Sequence, residues 1–134
     1  PICDENYYGY LLRLSETNAT PNINWILFYI LGKSFKDGHL HNLQKNSKLS
    51  EGISRLAIKP LQQIIALTDC PKDFFDFIRI ERPKFCPECF KERAYHRKIW
   101  DLCLITTCSI HQVELVDHCD ICGVTLNWFR KNTA

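Results

Sequence analysis

Cys86-Pro87-Glu88-Cys89, then Cys108-Ser109-Ile110-His111, then Cys119-Asp120-Ile121-Cys122: these three stretches decide how the chain is held together. Two residues between ligands let both side chains of a pair face one ion, so each pair reads as a metal knuckle. Thiolate and imidazole are the preferred ligands of zinc, whereas harder cations want carboxylates, and three sulfurs with one nitrogen make a common closed structural site. An iron–sulfur cluster is the alternative metal. A disulfide framework is disfavoured, because no basic n-region and apolar stretch open the sequence, and a reduced, cytoplasmic compartment is expected.

Six ligands make one complete site and half of another. Cys86, Cys89, Cys108 and His111 form C-x2-C-x18-C-x2-H, a loop of ordinary finger length with no ligand skipped. The competing pairing, Cys86 and Cys89 with Cys119 and Cys122, gives C-x2-C-x29-C-x2-C and strands Cys108 and His111. Under the first pairing Cys119 and Cys122 are an incomplete second metal site, since no Cys or His follows Cys122. Either the chain has been cut before the missing ligands, or His118 and Cys103 are recruited, or the pair stays as reduced thiols. Cys3, Cys70 and Cys103 lack partner spacing and read as small buried hydrophobes.

Upstream of the cysteines the text is helical. Asp4 is placed to cap a helix with Tyr7, Leu11 and Leu14 at three- and four-residue intervals, ending near Asn18. Thr20-Pro21 starts a second helix, with Trp25, Phe28 and Leu31 on its apolar stripe and Gly32 as its stop. Lys33 to Ser50 reads as a mobile connector in which His39 and His41 are solvent-exposed. Ser50 caps a third helix carrying Ile53, Leu56 and Ala57, and Lys59-Pro60 restarts the chain before Leu61, Ile64 and Ile65. Pro71 then opens a short helix with Phe74, Phe75, Phe77 and Ile78, so that helix, tight turn and helix outline a helix-turn-helix. In the cysteine region a helix is expected around Ala94 to Trp100, with Trp100, Leu102, Leu104 and Ile105 packed over the metal. The expected organisation is a mainly α protein: a helix-turn-helix-like region over residues 1–80 and a small zinc-finger module over 81–134.

The chain has 134 residues, 46% of them hydrophobic and 24% charged, which supports a real core and excludes disordered or coiled-coil compositions. Its longest apolar run, Trp25 to Leu31, is far short of the roughly 18 residues a membrane span needs. A net charge of +2 does not announce nucleic acid. Between Arg82 and Lys98, however, six basic residues face two acidic ones, and Lys91, Arg93, Arg97 and Lys98 are the candidate nucleic-acid contacts. Four protein ligands close a zinc sphere, so the metal is structural. With no P-loop, G-x-G-x-x-G, G-x-S-x-G or H-E-x-x-H, no catalytic residue is assigned and the chain reads as a non-enzymatic binding module.

The knuckles, together with Tyr95-His96-Arg97, Trp100, Leu115, Gly123 and the opening stretch Asp4-Glu5-Asn6-Tyr7-Tyr8-Gly9-Tyr10-Leu11-Leu12-Arg13-Leu14-Ser15-Glu16-Thr17-Asn18, resemble the TniQ/TnsD family. The resemblance implies a target-selection subunit of a DNA transposon. Such a subunit is an adaptor, not an enzyme, that links a recognised target, DNA itself or a guide-RNA complex, to a TnsC-like AAA+ ATPase regulator of transposition. It also implies that Cys86, Cys89, Cys108 and His111 are the first finger's zinc ligands and that Cys119 and Cys122 begin a second finger whose remaining ligands are absent. No membrane partner is implied, and a homodimer is compatible with it.

Two other readings compete. A RING-type protein-interaction module fits the order of the pairs but needs eight ligands. A sequence-specific regulator using the helix after Pro71 would present two acids, Asp73 and Asp76, to the phosphates.

Overall fold

Helix α1 (Tyr7–Thr17) starts at Asn6, whose side-chain oxygen accepts the Gly9 N–H at 2.8 Å. Asp4, the expected cap, has partners far along the chain: its carboxylate accepts from Tyr95 Oη at 3.2 Å and from Arg97 Nη1 at 3.0 Å. The computed structural model describes residues 1–35, 43–69 and 76–130. Helices α2 (Ile23–Leu31), α3 (Ser47–Ala57) and α4 (Leu61–Ala66) follow, then α5 (Pro87–Glu92) and a 3-10 turn over Lys98–Asp101. Among the described residues strand pairing is confined to isolated bridges, so the protein is mainly helical and has no sheet.

Three more starts and faces differ from expectation. Asn22, not Thr20, caps α2, accepting from Asn24 N at 3.0 Å, while Thr20 bonds back to Ser15. Asn46, not Ser50, caps α3, accepting from Leu49 N at 3.0 Å; Ser50 lies buried within the helix. On α2 the buried face is Ile23, Ile26 and Leu27, whereas Trp25 and Phe28 are more than half exposed. That helix is apolar all round, so periodicity alone has no face to select. Gly32 stops it as expected, at φ 72°.

The connector expected from Lys33 to Ser50 is shorter than read: Leu43 is in the core and α3 begins at Ser47. His39 and His41 lie outside the described residues, as do Cys70 to Phe75, where the helix after Pro71 was expected. Its described continuation is not helical at Ile78, which pairs with Leu102 across an antiparallel bridge. Nearer the cysteines, the helix expected around Ala94 is replaced by α5 upstream and the 3-10 turn downstream.

Two apolar clusters result. The larger packs Tyr7, Tyr8, Leu11 and Leu12 of α1 against Ile23, Ile26 and Leu27, Leu49 and Ile53, and Ile64, and it also takes in Trp128 from near the chain's end. The smaller surrounds the cysteines. They are stitched together by the first residues of the chain: Asn6 N donates to His96 O at 2.7 Å, Lys98 N to Asp4 O at 2.8 Å, and Asn6 Nδ2 to the Asp101 carboxylate. His96 stands at the join, its ring 4.8 Å from that of Trp128 and 4.9 Å from that of Phe90. Burial, then the charge of Arg130, holds its pKa down to about 3, so it is a neutral packing group. Gly9 is required by this join, since a Cβ there would lie 2.8 Å from His96 Cβ.

Asp101 carries a testable consequence of the same join. Burial raises its carboxyl to about 7 from 3.8, against the opposing hydrogen bond from Asn6. A raised folded-state pKa means that the folded form holds its proton more tightly, so stability is lost as pH climbs from about 4 to about 7 and falls no further above that. Asp101→Asn keeps the acceptor for Asn6 and removes the charge. Because Asp101 is only half-buried and lines a cavity of about 270 Å³, solvent reduces the effect. The variant is expected to match the parent at pH 4 and to be more stable by about 2 kcal/mol at pH 8. Urea midpoints at the two pH values measure this; an equal difference at both would show that the charge is not responsible.

Candidate metal centre

Local sequence builds the first half of the site. Cys86 occupies the N-cap of α5, Pro87 takes the first helical position, where no N–H is needed, and Cys89 follows one turn on. The Cys89 N–H points at Cys86 Sγ, 3.4 Å away. The second half is a turn in which Cys108 N donates to Val113 O at 2.8 Å and Gln112 N to Cys108 O at 2.9 Å, with Gln112 at φ 56°. An antiparallel bridge between Phe85 and Val116 brings the two halves together.

The four ligand atoms all lie within 4.8 Å of one another. Cys89 Sγ is 3.7 Å from Cys108 Sγ, and His111 Nδ1 is 3.5 Å from Cys86 Sγ, 3.3 Å from Cys89 Sγ and 3.8 Å from Cys108 Sγ. A tetrahedron built on Zn–S of about 2.3 Å and Zn–N of about 2.0 Å has edges of about 3.5 to 3.8 Å. The donor set therefore fits a zinc-sized ion in both chemistry and dimensions, and the geometry could bind a metal. Burial, then crowding by the Cys108 and Cys86 sulfurs, pushes the Cys89 thiol up to about 12. Three thiolates this close are mutually repulsive without a cation between them.

Glu92 was not picked out from the sequence. Its Oε1 lies 3.1 Å from His111 Nε2, the ring nitrogen that faces away from the sulfurs. A carboxylate there fixes the tautomer that leaves Nδ1 free to ligate. The available signal was position: Glu92 lies one helical turn beyond Cys89 on α5. Around the ligands, Trp100 and Leu115 are buried and Phe85, Phe90, Ile105 and Val113 pack on them. Leu104, expected among them, is two-thirds exposed.

Cys119 and Cys122 lie outside the four-atom group but repeat its backbone. Cys119 N donates to Val124 O at 3.0 Å, Gly123 N to Cys119 O at 2.8 Å, and Gly123 has φ 67°. The flanking bridge recurs as well, Thr107 with Glu114 in the first knuckle and His118 with Thr125 in the second. The C-x2-C text thus adopts the same knuckle backbone as the Cys108–Val113 turn. His118 instead faces acids, Asp117 at 2.9 Å and Asp120 at 3.9 Å.

The four basic candidates differ in how they are placed. Lys91 is exposed and pairs with Glu88 at 2.7 Å, and Arg93 is exposed beside the Tyr95 ring. Arg97 lies over the Tyr95 and Trp100 rings and pairs with Asp4, and Lys98 Nζ donates to the carbonyl of Ala66.

Among the described residues, no helix is long and apolar enough to cross a membrane. Residues 1–115 match the family described as TniQ, a span that contains all four clustered ligands and stops short of Cys119. No curated protein matches the chain.

Proposed function

We propose that this chain, which belongs to the TniQ family, is an adaptor that couples recognition of a transposition target to a TnsC-like AAA+ ATPase regulator, with one structural zinc held by Cys86, Cys89, Cys108 and His111. The family is a non-catalytic, transposition-associated one, and its match over residues 1–115 is the observation that carries the reading. In this reading the helical region, residues 1–80, and the zinc region, 81–134, divide the work of binding partners. The target is DNA or a guide-RNA complex, the compartment is the cytoplasm, and the assembly can include a second copy.

Zinc here would hold α5 and the Cys108–Val113 turn together, and it would leave no coordination position for a water. Elemental analysis of the purified protein is expected to give one zinc per chain. Two would mean that Cys119 and Cys122 complete a site of their own, and none would end the zinc assignment.

The adaptor role is tested by targeted insertion in cells that carry the transposase, the ATPase regulator and the target recogniser, with this chain supplied or withheld. Insertion at the target is expected to fall to background without it. Undiminished targeted insertion overturns the reading. A RING-type module would need a second full site, which the same zinc analysis detects.

Direct DNA contact, where it occurs, is proposed for Lys91, Arg93, Arg97 and Lys98. Binding is then weak, sequence-independent and salt-dependent, because it comes from counterion release at a few phosphates. Lys91→Ala with Arg93→Ala, the two exposed positions, is expected to lower the slope of log K against log salt by about 2. An unchanged slope would place the DNA contact elsewhere.

A further inference from the structure

Asp101, which ties the first residues of the chain to the zinc region, also lines a cavity. The space, about 270 Å³, lies between the start of α1, the turn after α4 and the segment from Lys98 to Leu102. Its walls are mostly apolar: Tyr7 and Leu67 are buried, Ile78 and Leu102 are partly covered, and Ile99 is 47% exposed. An apolar cavity of about 150 Å³ takes up benzene, so a space of this size admits a ring with a short arm.

The polar part of the lining is rich in acceptors, and two of its donors are already spent. Asn6 Nδ2 donates to Asp101 Oδ2, and Lys98 Nζ donates to the carbonyl of Ala66. Thr68 gives its hydroxyl proton to Ile65 O at 2.7 Å, which leaves the lone pairs of its own oxygen. Among the described residues Asp101 Oδ1 takes no hydrogen bond, and no cationic side chain pairs with the carboxylate. Lys84, the cation whose charge reaches it, has its Nζ on the carbonyls of Leu102 and Ile105, at 3.0 and 2.6 Å. Asp69, exposed at the same cavity, is a second acid. A partly buried carboxylate without a cation is costly, and an ammonium group beside it removes the cost.

We infer that this cavity binds a small primary amine with an apolar, ring-sized body, its ammonium group on Asp101 Oδ1 and its body against Leu67, Ile78, Ile99 and Leu102. The site is independent of the adaptor role proposed above. An anion would meet two carboxylates and one lysine that is already engaged. A bare metal ion would lack ligands, because among the described residues the Cys86, Cys89, Cys108 and His111 group is the one cluster of metal-ligating side chains.

The test uses the full zinc-loaded chain at pH 8, where Asp101 is ionised and phenethylamine is protonated. Phenethyl alcohol and hydrocinnamate carry the same ring with a neutral and an anionic head, and Nα-acetyl-lysine methylamide carries the ammonium on a protein-like stem. Calorimetry is expected to give the amine a Kd of about 1 mM or tighter, at least about tenfold below that of each of the other three. In nitrogen–proton spectra the Asn6 side-chain amide and the Leu102 N–H are expected to move with it. Asp101→Asn keeps an acceptor for Asn6 and is expected to bring the amine down to the affinity of the alcohol. Ile99→Ala, at a half-exposed wall position, is expected to weaken amine and alcohol alike by about fivefold.

No heat and no spectral shift at about 10 mM amine, equal affinity for amine and alcohol in the parent, or an amine preference that survives Asp101→Asn would each overturn the inference. Binding untouched by Ile99→Ala would do the same, since the body would then lie outside the cavity. So would tighter binding of hydrocinnamate, which would make Lys98 the anchor, or of the lysine derivative, which would make the occupant a side chain of a partner protein.

Discussion

Cys89→Ser is expected to leave the segment from Phe85 to Val116 unfolded at room temperature. Structural zinc contributes on the order of 10 to 16 kcal/mol in finger-sized units, as much as the whole stability of a small domain. Cys89 is one of the four clustered ligands, its Sγ 3.7 Å from Cys108 Sγ and 3.3 Å from His111 Nδ1, and its replacement leaves three. The damage should also reach α1, because Asn6 and Asp4 are bonded to the backbone of His96 and Lys98. Hydrogen exchange is expected to show lost protection over Phe85–Val116 and faster exchange in the first turn of α1, with zinc content reduced. Cys122→Ser, outside the cluster, is expected to behave as the parent protein. Equal damage in the two variants would mean that the second knuckle shares the main site.

Arg13→Ala is expected to destabilise the helical part by about 3 to 5 kcal/mol, the cost of stranding a buried charge. Glu5 has no exposed surface, and both of its carboxylate oxygens are engaged, Oε1 by Arg13 Nε at 2.6 Å and Oε2 by Arg13 Nη2 at 3.1 Å and by the Ile2 N–H at 3.0 Å. This planar fork is geometry that Lys cannot reproduce, so Arg13→Lys should recover only part of the loss. Replacing both members, Glu5→Gln with Arg13→Met, is expected to cost much less than Arg13→Ala alone, since no unpaired charge remains. Chemical denaturation of the three variants decides between them. If the double variant is as unstable as Arg13→Ala, the packing of the arginine stem, and not the charge, is what matters.

Both results turn on contacts that join distant parts of the chain, and these are where reading the sequence was weakest. At α1 the rules offered Asp4 as a cap and the structure uses Asn6. Both residue types are good caps, and the choice was made by Arg97 and Tyr95, more than 90 residues away, which hold the Asp4 carboxylate. Trp128 was given no role, although it is fully buried against Tyr8 and donates to Ile80 O. A single tryptophan in a segment without periodicity carries no local sign of where it will be buried.

By itself the sequence determined the helical character of the N-terminal part, the stop at Gly32, the break at Pro60 and the four residues that converge in the metal centre. Each of these follows from short-range rules: 3.6-residue periodicity, a left-handed glycine, a missing N–H, and two residues between ligands that must face one ion. The tertiary structure alone decided which face of α2 is buried, which residue caps α1, that Glu92 backs His111, and that the first residues of the chain bind the segment from Tyr95 to Lys98. The physical reason is the same in each case. Several local solutions are nearly equal in energy, and the choice among them falls to a partner that only folding brings within a few ångströms.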